Sequence, residues 1–440
     1  RGYGWNHTLW GDRWPTAAEL DQVTGGRPAV LSRKDAHSVW CNSAALALAG
    51  ITDGTADPAG GQVQRDAAGR ATGVLLETAQ GLIWPVVAGP DEAQAELAIE
   101  RLLADCRRAG LTSVHVPDPA ICLRAVQSLY NRGALGMRVL HHLRIEQLEP
   151  ALAAGIQSGL GDHWLRIGGV KIFSDGTLGS CTAHMLEPFE GMQPGTPHCC
   201  GMPTLPNDDL AATIERAVAG RLSVAVHAIG DAANRAVLDS IEAALRAHPE
   251  PLRADQPPAP EGWPASPTLP HRIEHAQLLH PDDLPRFARL GVVASMQPIH
   301  ATSDMDIAER LWGRRCASAY AWRTLLDLGA TLAFGSDAPI ESWNPWLGIH
   351  AAVTRQRQDD TPPGGWHPEL RLTLEEALWA YTAGPALASG ELADKGTLAA
   401  GKLADIAVLD RDLADTAAEA LRDVTTDATV LGGNVVWERV

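Results

Sequence analysis

Residues 168–176 read G-G-V-K-I-F-S-D-G, a short apolar run with Lys171 near its centre. Its length and apolar character are typical of a buried strand, although burying an ammonium ion without a counter-charge is costly. Similar runs recur along the chain, and most are followed by a stretch with helical periodicity; they lie at 111–116, 138–143, 223–226, 272–273, 292–296 and 331–334. Repeated β-α units predict a parallel sheet, and seven of them favour a closed barrel over an open sheet.

The regions around these runs predict how the chain is organised. We expect the barrel to span residues 76–390. Residues 1–75 are rich in loops and tryptophan, with one candidate strand at 29–32, and residues 391–440 carry the short β signals of part of a small β-sandwich. Helical patterns between the strands are clearest at 91–109, 208–219, 232–247 and 281–290. Long surface loops are predicted for the proline-rich stretches 187–206 and 249–270.

Composition excludes several classes of protein. The 440 residues include 53 acidic and 36 basic side chains, a net charge of -17, which argues against nucleic acid as a partner. The apolar stretches are far shorter than the roughly 18–20 residues of a membrane span. The seven cysteines contain no C-x-x-C pair, so neither a disulfide framework nor a zinc ribbon is indicated. We therefore expect a cytoplasmic protein that binds neither nucleic acid nor membrane, and the sequence leaves a homodimer open.

Four of the apolar runs carry a reactive side chain at or near their carboxyl end. His227 follows S-V-A-V, His275 follows R-I-E, Asp337 follows T-L-A-F-G-S, and Lys171 lies in the run quoted above. The carboxyl ends of barrel strands form one rim, where barrel active sites are built. The run at 292–296 fits as the strand between His275 and Asp337. The sequence therefore predicts that these four side chains converge.

Each of these side chains alone also has a structural explanation. A histidine that ends a strand is often only hydrogen-bonded in the core, an aspartate before Ala-Pro often forms a turn, and a strand lysine can extend to water or pair with a nearby carboxylate. Together, two imidazoles and a carboxylate are a ligand set for zinc or a similar divalent ion. A neutral lysine amine can in addition react with carbon dioxide and give a carbamate that bridges two metals.

The ordered set of motifs resembles a known family. The motifs are V-K-I-F-S-D-G-T-L-G-S (170–180), V-A-V-H-A-I-G-D-A-A-N (224–234), R-I-E-H-A-Q (272–277), V-A-S-M-Q-P-I-H-A-T-S-D (293–304), A-F-G-S-D-A-P (333–339) and G-K-L-A-D-I-A-V-L (401–409). They resemble the amidohydrolase superfamily, and more narrowly its YtcJ-like group, which includes N-substituted formamide deformylase. The resemblance covers nearly the whole chain.

This resemblance implies a fold, a metal centre and a reaction. The fold would be a distorted (β/α)8 TIM barrel with a small β-sandwich, and the centre would hold one or two divalent ions, with zinc as the first choice. Lys171 matches the bridging, carboxylated lysine, His227 and His275 match ligand histidines, and Asp337 matches the ligand aspartate that also transfers the proton. The reaction would be hydrolysis of a non-peptide C–N bond, amide or formamide, in a small molecule.

One feature of the family is not found in this sequence. The first barrel strand should end in a His-x-His pair upstream of the tryptophan-rich segment, and we expect that this strand lies outside the sequence given. Loss of the pair would instead favour a non-catalytic relative, and a centre with one metal would favour a deaminase or a hydrolase of cyclic amides. Four further side chains are candidates for substrate binding: His37, His115, His300 and Asp304.

Overall fold

The computed structural model describes residues 1–11, 13–249 and 269–439. The chain forms two compact units, one of Arg1–Gly89 with Phe173–Asn207 and one of Pro90–Ile172 with Asp208–Val440. The domain boundaries expected near residues 75 and 390 remain predictions. Most of the proline-rich loop predicted at 249–270 lies outside the described residues.

The first unit contains a five-stranded sheet in the order β1-β2-β3-β5-β4. The single strand expected at 29–32 corresponds to β2, and four further strands join it. Val39, Val63 and Leu75 are among the core residues of this unit, which explains why such short strands are stable here. The strands are β1 (Gly2–Trp5), β2 (Val30–Arg33), β3 (Ser38–Cys41), β4 (Gly61–Arg65) and β5 (Ala71–Glu77), with helices α1 (Ala17–Thr24) and α2 (Ser43–Leu48).

The second unit contains a parallel sheet whose seven strands coincide with the seven apolar runs. They are β6 (Ser113–Val116), β7 (Arg138–Arg144), β8 (Leu165–Phe173), β9 (Val224–Ala228), β10 (Arg272–His275), β11 (Val293–Met296) and β12 (Leu332–Phe334). Neighbours in the sheet are neighbours in the chain, from β12 at one edge to β6 at the other, which is the strand order of a TIM barrel. Among the described residues, β6 and β12 do not pair with each other. The predicted TIM-type fold is confirmed.

Helices follow most strands of this sheet and cover its outer face, as expected for strands that are buried on both sides. For example, the helix after β9 buries Val237, Leu238 and Ile241. The helices are α3 (Glu92–Arg108), α4 (Ala120–Asn131), α5 (Leu148–Ala153), α6 (Asn207–Ala219), α7 (Asp231–Ala247), α8 (Leu284–Leu290), α9 (Pro298–Trp312), α10 (Trp322–Asp327), α11 (Pro345–Thr354), α12 (Leu374–Tyr381) and α13 (Ala383–Ala388). No helix in the described ranges is long and apolar enough to cross a bilayer.

The C-terminal segment forms a separate antiparallel sheet of β13 (Ile406–Leu409), β14 (Thr426–Leu431) and β15 (Asn434–Glu438). This sheet belongs to the second unit, and polar contacts attach it to β7 and α3 of that unit. The Arg138 guanidinium on β7 donates to both carboxylate oxygens of Asp405, at 2.5 and 2.8 Å. Thr429 Oγ1 on β14 donates to the carbonyl of Arg107 at 2.7 Å. The β signals expected beyond residue 390 therefore belong to a real sheet, fixed by a bidentate ion pair.

Candidate active site

The four predicted metal-binding side chains all lie toward the carboxyl ends of strands in the second unit. Lys171 is on β8, His227 on β9, His275 is the last residue of β10, and Asp337 follows β12 by three residues. Because the strands are parallel and adjacent in order, their carboxyl ends form one edge of the curled sheet. The fold thus places all four side chains on one rim.

Distances between the side chains show which of them meet. The rings of His227 and His275 have centroids 4.6 Å apart and lie at 70° to each other. His275, His300 and Asp337 each offer a ligand atom, and these three atoms lie within 4.8 Å of one another. His300 follows β11 on α9, and the sequence predicts it as a substrate-binding residue. The structure places it beside Asp337.

Gln297 determines which nitrogen of His275 can bind a metal. Gln297 Nε2 donates to the Ser295 carbonyl at 3.3 Å, so its amide oxygen faces His275 Nδ1 at 2.8 Å. Burial lowers the pKa of His275 to about 4, with smaller effects from neighbouring charges, so the ring is neutral. A neutral ring that donates from Nδ1 keeps its lone pair on Nε2, which is the form that ligates metals.

Lys171 is buried, with 5% of its surface exposed, as the apolar run around it predicts. Burial lowers its pKa to about 8, although the carboxylates of Glu274 and Asp337 act to raise it. At neutral pH a useful fraction of the amine is therefore uncharged, and the ammonium form has nearby counter-charges. Lys171 is suited both to remain as a compensated cation and to react as a nucleophilic amine.

Asp337 and His300 form a hydrogen-bonded pair at the rim. His300 Nε2 lies 3.3 Å from Asp337 Oδ2, and the Asp337 side chain keeps 38% of its surface exposed. Burial acts to raise the pKa of Asp337, but the bond from His300 and the charges of His275 and Lys171 outweigh it and lower the pKa. Asp337 is therefore ionised at neutral pH and accessible to a small molecule.

Glu341 and Asp304 surround the far side of His300. His300 Nδ1 lies 3.9 Å from Glu341 Oε1, which also accepts a hydrogen bond from Ser303 Oγ at 2.8 Å. Burial acts to lower the pKa of His300, but the bond to Asp337 and the charges of Asp337, Asp304 and Glu341 raise it overall. His300 is thus held as a hydrogen-bond donor toward Asp337.

Asp304, the other predicted substrate residue on α9, takes part in a polar cluster. The Tyr320 hydroxyl donates to Asp304 Oδ2 at 2.8 Å, and Gln277 Nε2 donates to the same hydroxyl at 2.6 Å. Burial and the nearby Asp304 raise the pKa of Tyr320 well above its usual value, so the hydroxyl keeps its proton. These bonds fix Asp304 one helical turn after His300.

His115, also predicted to bind substrate, is engaged by a buried arginine. The Arg272 guanidinium on β10 donates to His115 Nδ1 on β6 at 2.9 Å, across the inside of the curled sheet. The same guanidinium donates to both oxygens of Glu274, at 2.5 and 3.0 Å, and to Ser295 Oγ at 2.6 Å. Burial and the charge of Arg272 lower the pKa of His115 well below its usual value. His115 therefore carries a structural contact, and its role in substrate binding stays a prediction.

His37, the fourth substrate candidate, lies in the first unit. Its Nδ1 is 2.7 Å from Glu77 Oε2, and Thr182 Oγ1 donates to the other oxygen of Glu77 at 2.6 Å. Burial acts to lower the pKa of His37, but the charges of Glu77, Asp35 and Asp175 raise it to about 9. His37 is therefore a buried cation in an ion pair, and its proposed contact with substrate remains untested.

Several residues that shape the site were not predicted from the sequence. Gln297, Glu274 and Arg272 lie inside the motifs R-I-E-H-A-Q and S-M-Q-P, but their own pattern does not distinguish them from structural polar residues. Glu341 follows Asp337 in a loop with no periodic signal. Residues four apart on a helix or two apart on a strand share a face, and this rule would have singled out Glu274 with Arg272.

The fold, with imidazole and carboxylate side chains at the carboxyl ends of its strands, is typical of metal-dependent barrel hydrolases. The chain belongs to the amidohydrolase family, because the model described as "Amidohydrolase family" matches residues 1–437. It is therefore an enzyme of a hydrolase family.

Three similar proteins illustrate this membership. YtcJ of Bacillus subtilis (strain 168), named as an amidohydrolase, is 31% identical, and the alignment covers 100% of this chain and 79% of YtcJ. N-substituted formamide deformylase of Arthrobacter pascens is 28% identical over 97% of this chain and 76% of its own length. The crystal structure of an uncharacterized metal-dependent hydrolase from Pyrococcus furiosus has a TM-score of 0.66 and 31% identity, and covers 91% of this chain and 75% of that chain.

Proposed function

We propose that this chain is a metal-dependent hydrolase that cleaves an amide or formamide C–N bond in a small molecule. The observation that carries the proposal is the convergence of His275, His300 and Asp337, whose ligand atoms lie within 4.8 Å of one another at the rim of a parallel sheet. Similarity to YtcJ and to N-substituted formamide deformylase supports the choice of a C–N bond.

The donor set fits a divalent ion. His275 is neutral with its Nε2 lone pair available, Asp337 is ionised, and His227 lies against the His275 ring. Imidazole and carboxylate donors together suit zinc. Lys171, His227, His275 and Asp337 are the residues proposed to hold one or two ions, and Lys171 would contribute through a carbamate.

A bound zinc ion would supply a water whose pKa falls toward about 7 and would polarise a carbonyl oxygen. The residues of the chain account for the proton transfers. Asp337, ionised and partly exposed, can accept the proton of the attacking water and donate it to the leaving nitrogen, which then departs as an amine. His300 holds Asp337 in place through the bond to Oδ2. His300 and Asp304 stay candidates for contact with the substrate.

Purified protein would be tested in two independent assays. The first is the metal content per chain, and the second is a hydrolysis screen over N-substituted formamides, acyl amino acids and cyclic amides. We expect bound divalent metal and release of amine from at least one formamide or amide. Asp337→Asn should lower turnover by roughly 10²- to 10⁴-fold, the usual contribution of general acid–base catalysis.

Two matched variants make this test decisive. His275→Ala should abolish metal binding, whereas His248→Ala, at a partly exposed histidine after α7, should leave both metal content and turnover unchanged. A protein that binds stoichiometric metal but shows only deaminase activity would favour the alternative of a deaminase over hydrolysis of an amide or formamide. A folded protein without metal or hydrolysis would favour a non-catalytic relative and overturn the proposal.

A further inference from the structure

His142, on β7, contacts two glycines of β8, Gly168 and Gly169. A Cβ atom on Gly168 would lie 2.7 Å from His142 Nδ1 and 2.8 Å from its Cε1, and the Gly169 backbone N–H donates to Nδ1 at 2.9 Å. The strand pairing sets Leu143 opposite Val170 and Arg144 opposite Lys171. Gly168 thus makes room for the imidazole beside the strand that carries Lys171.

The bond to Gly169 fixes the protonation pattern of this imidazole. Because Nδ1 accepts a hydrogen bond, it carries no proton, and the proton of a neutral ring must be on Nε2. Burial, with the charge of Arg272, lowers the pKa of His142 to about 3, which keeps the ring neutral. His142 therefore presents one N–H donor, at Nε2, into the interior of the sheet.

This donor lacks a hydrogen-bond partner. Nε2 of His142 is buried, and no residue of the described ranges accepts its proton. A buried donor without an acceptor costs roughly 1–3 kcal/mol, so native proteins rarely leave one unmatched. Lys171 lies on the neighbouring strand β8, opposite Arg144, which follows His142 by two residues on β7. The missing acceptor is therefore expected next to Lys171.

We propose that His142 is a positioning residue for Lys171, and that its Nε2–H donates a hydrogen bond to a carbamate formed on Lys171 Nζ. This rests on the proposed function, which includes the carbamate. The neutral amine attacks the carbon of carbon dioxide, a C–N bond forms, one C–O π bond becomes an oxygen lone pair, and the amine releases one proton to solvent. The product carries one negative charge and two acceptor oxygens, one of which matches Nε2–H.

The charges around Lys171 are compatible with such an anion. Glu274 and Asp337 are the carboxylates that would repel a carbamate. The Glu274 carboxylate is paired at both oxygens by the Arg272 guanidinium, and Asp337 Oδ2 lies 3.3 Å from His300 Nε2. Ser295 Oγ adds a further hydrogen bond to Glu274, at 2.6 Å. The Arg272–Glu274 pair is neutral as a unit, so the interior can accept a new negative charge beside a neutral histidine.

The experiment measures carbamate occupancy directly. Full-length protein is loaded with zinc and ¹³C-bicarbonate, and the lysine carbamate signal is followed by ¹³C NMR at increasing bicarbonate. Lys171→Ala should remove the signal. His142→Asn keeps an acceptor near the position of Nδ1 but removes the Nε2–H donor. Because a hydrogen bond to a charged group is lost, we expect this variant to need roughly 10- to 100-fold more bicarbonate than wild type for half occupancy of the carbamate. His142→Gln, whose amide nitrogen reaches further, should restore part of the loss.

His141→Asn is the matched control, since it makes the same substitution one residue earlier and should not change occupancy. In wild-type protein, the ¹⁵N-labelled Nε2–H of His142 should shift when bicarbonate is added, and this measurement does not depend on how a variant folds. An unchanged His142 signal, or equal occupancy in His142→Asn and wild type, overturns the inference and leaves the hydrolase proposal standing. A wild-type protein with no carbamate also overturns it, while metal content and hydrolysis test the hydrolase proposal separately.

Discussion

The orientation of His275 depends on one amide side chain, and this gives a prediction at the scale of a residue. Gln297→Leu removes the oxygen that accepts from Nδ1 at 2.8 Å, so the ring can no longer hold its lone pair on Nε2. Loss of such a supporting bond lowers metal affinity by roughly 10- to 100-fold. Competition with a chromogenic chelator would measure it. Gln297→Glu, which retains an acceptor, should bind metal more nearly as wild type does, and equal affinity in all three proteins would refute the assignment.

The buried pair of His37 and Glu77 predicts a pH dependence of stability. The pKa of His37 is raised from 6.5 to about 9 in the folded protein, so its contribution to the free energy of unfolding is complete below pH 6.5 and disappears as the pH rises through about 9. Each unit of that rise corresponds to about 1.4 kcal/mol.

Urea unfolding at pH 6, 7.5 and 9 would measure this dependence. His37→Gln should be less stable than wild type at pH 6, and the difference should shrink toward pH 9. Glu77→Gln removes the charge that raises the pKa of His37, so it should flatten the same profile. A stability difference that does not vary with pH would show that His37 is not charged in the folded protein.

The packing of β8 against β7 depends on Gly168, and this gives a prediction at the scale of an element. Gly168→Ala would put a methyl group against the buried His142 ring, and overpacking of this kind costs roughly 1–3 kcal/mol. Chemical denaturation would give the change in unfolding free energy. Gly81→Ala is the control, because a Cβ atom there meets nothing within 4 Å. Equal stability of the two variants would mean that the ring can move aside.

The elements also show what the sequence could and could not predict. The seven strands of the parallel sheet were predicted because strands buried on both faces read as continuous apolar runs. The five-stranded sheet of the first unit was largely missed, since its strands are short and mix core residues with tryptophan and glycine. The bond from Arg272 to His115 spans 157 residues and depends on how strongly the sheet curls, which no local pattern encodes. The placement of the candidate side chains at strand ends was therefore predictable, and the contacts that orient them were not.

At the scale of the whole molecule, the rim joins strands from distant parts of the chain. Four different strands, or the loops that follow them, carry Lys171, His227, His275 and Asp337. The Arg272 guanidinium on β10 adds hydrogen bonds to His115 on β6 and Ser295 on β11. Ligands that meet only in the folded state make metal binding and folding parts of one equilibrium. That these four residues share a metal stays a prediction of the family resemblance, and the strand order of the sheet is the physical reason that their elements end on one rim.

Removal of the metal should therefore lower the stability of the second unit as a whole. A ligand that binds only the folded state adds about 2.7 kcal/mol at a concentration 100 times its Kd. Protein stripped by a chelator should melt at a lower temperature than zinc-loaded protein, and adding zinc back should restore the melting temperature in proportion to the logarithm of its free concentration. His275→Ala should melt at the same temperature with or without zinc, because it lacks a central ligand. If folded wild-type protein instead melts at the same temperature with and without zinc, the four side chains do not bind a common ion. The rim would then be a hydrogen-bonded cluster and not a metal site.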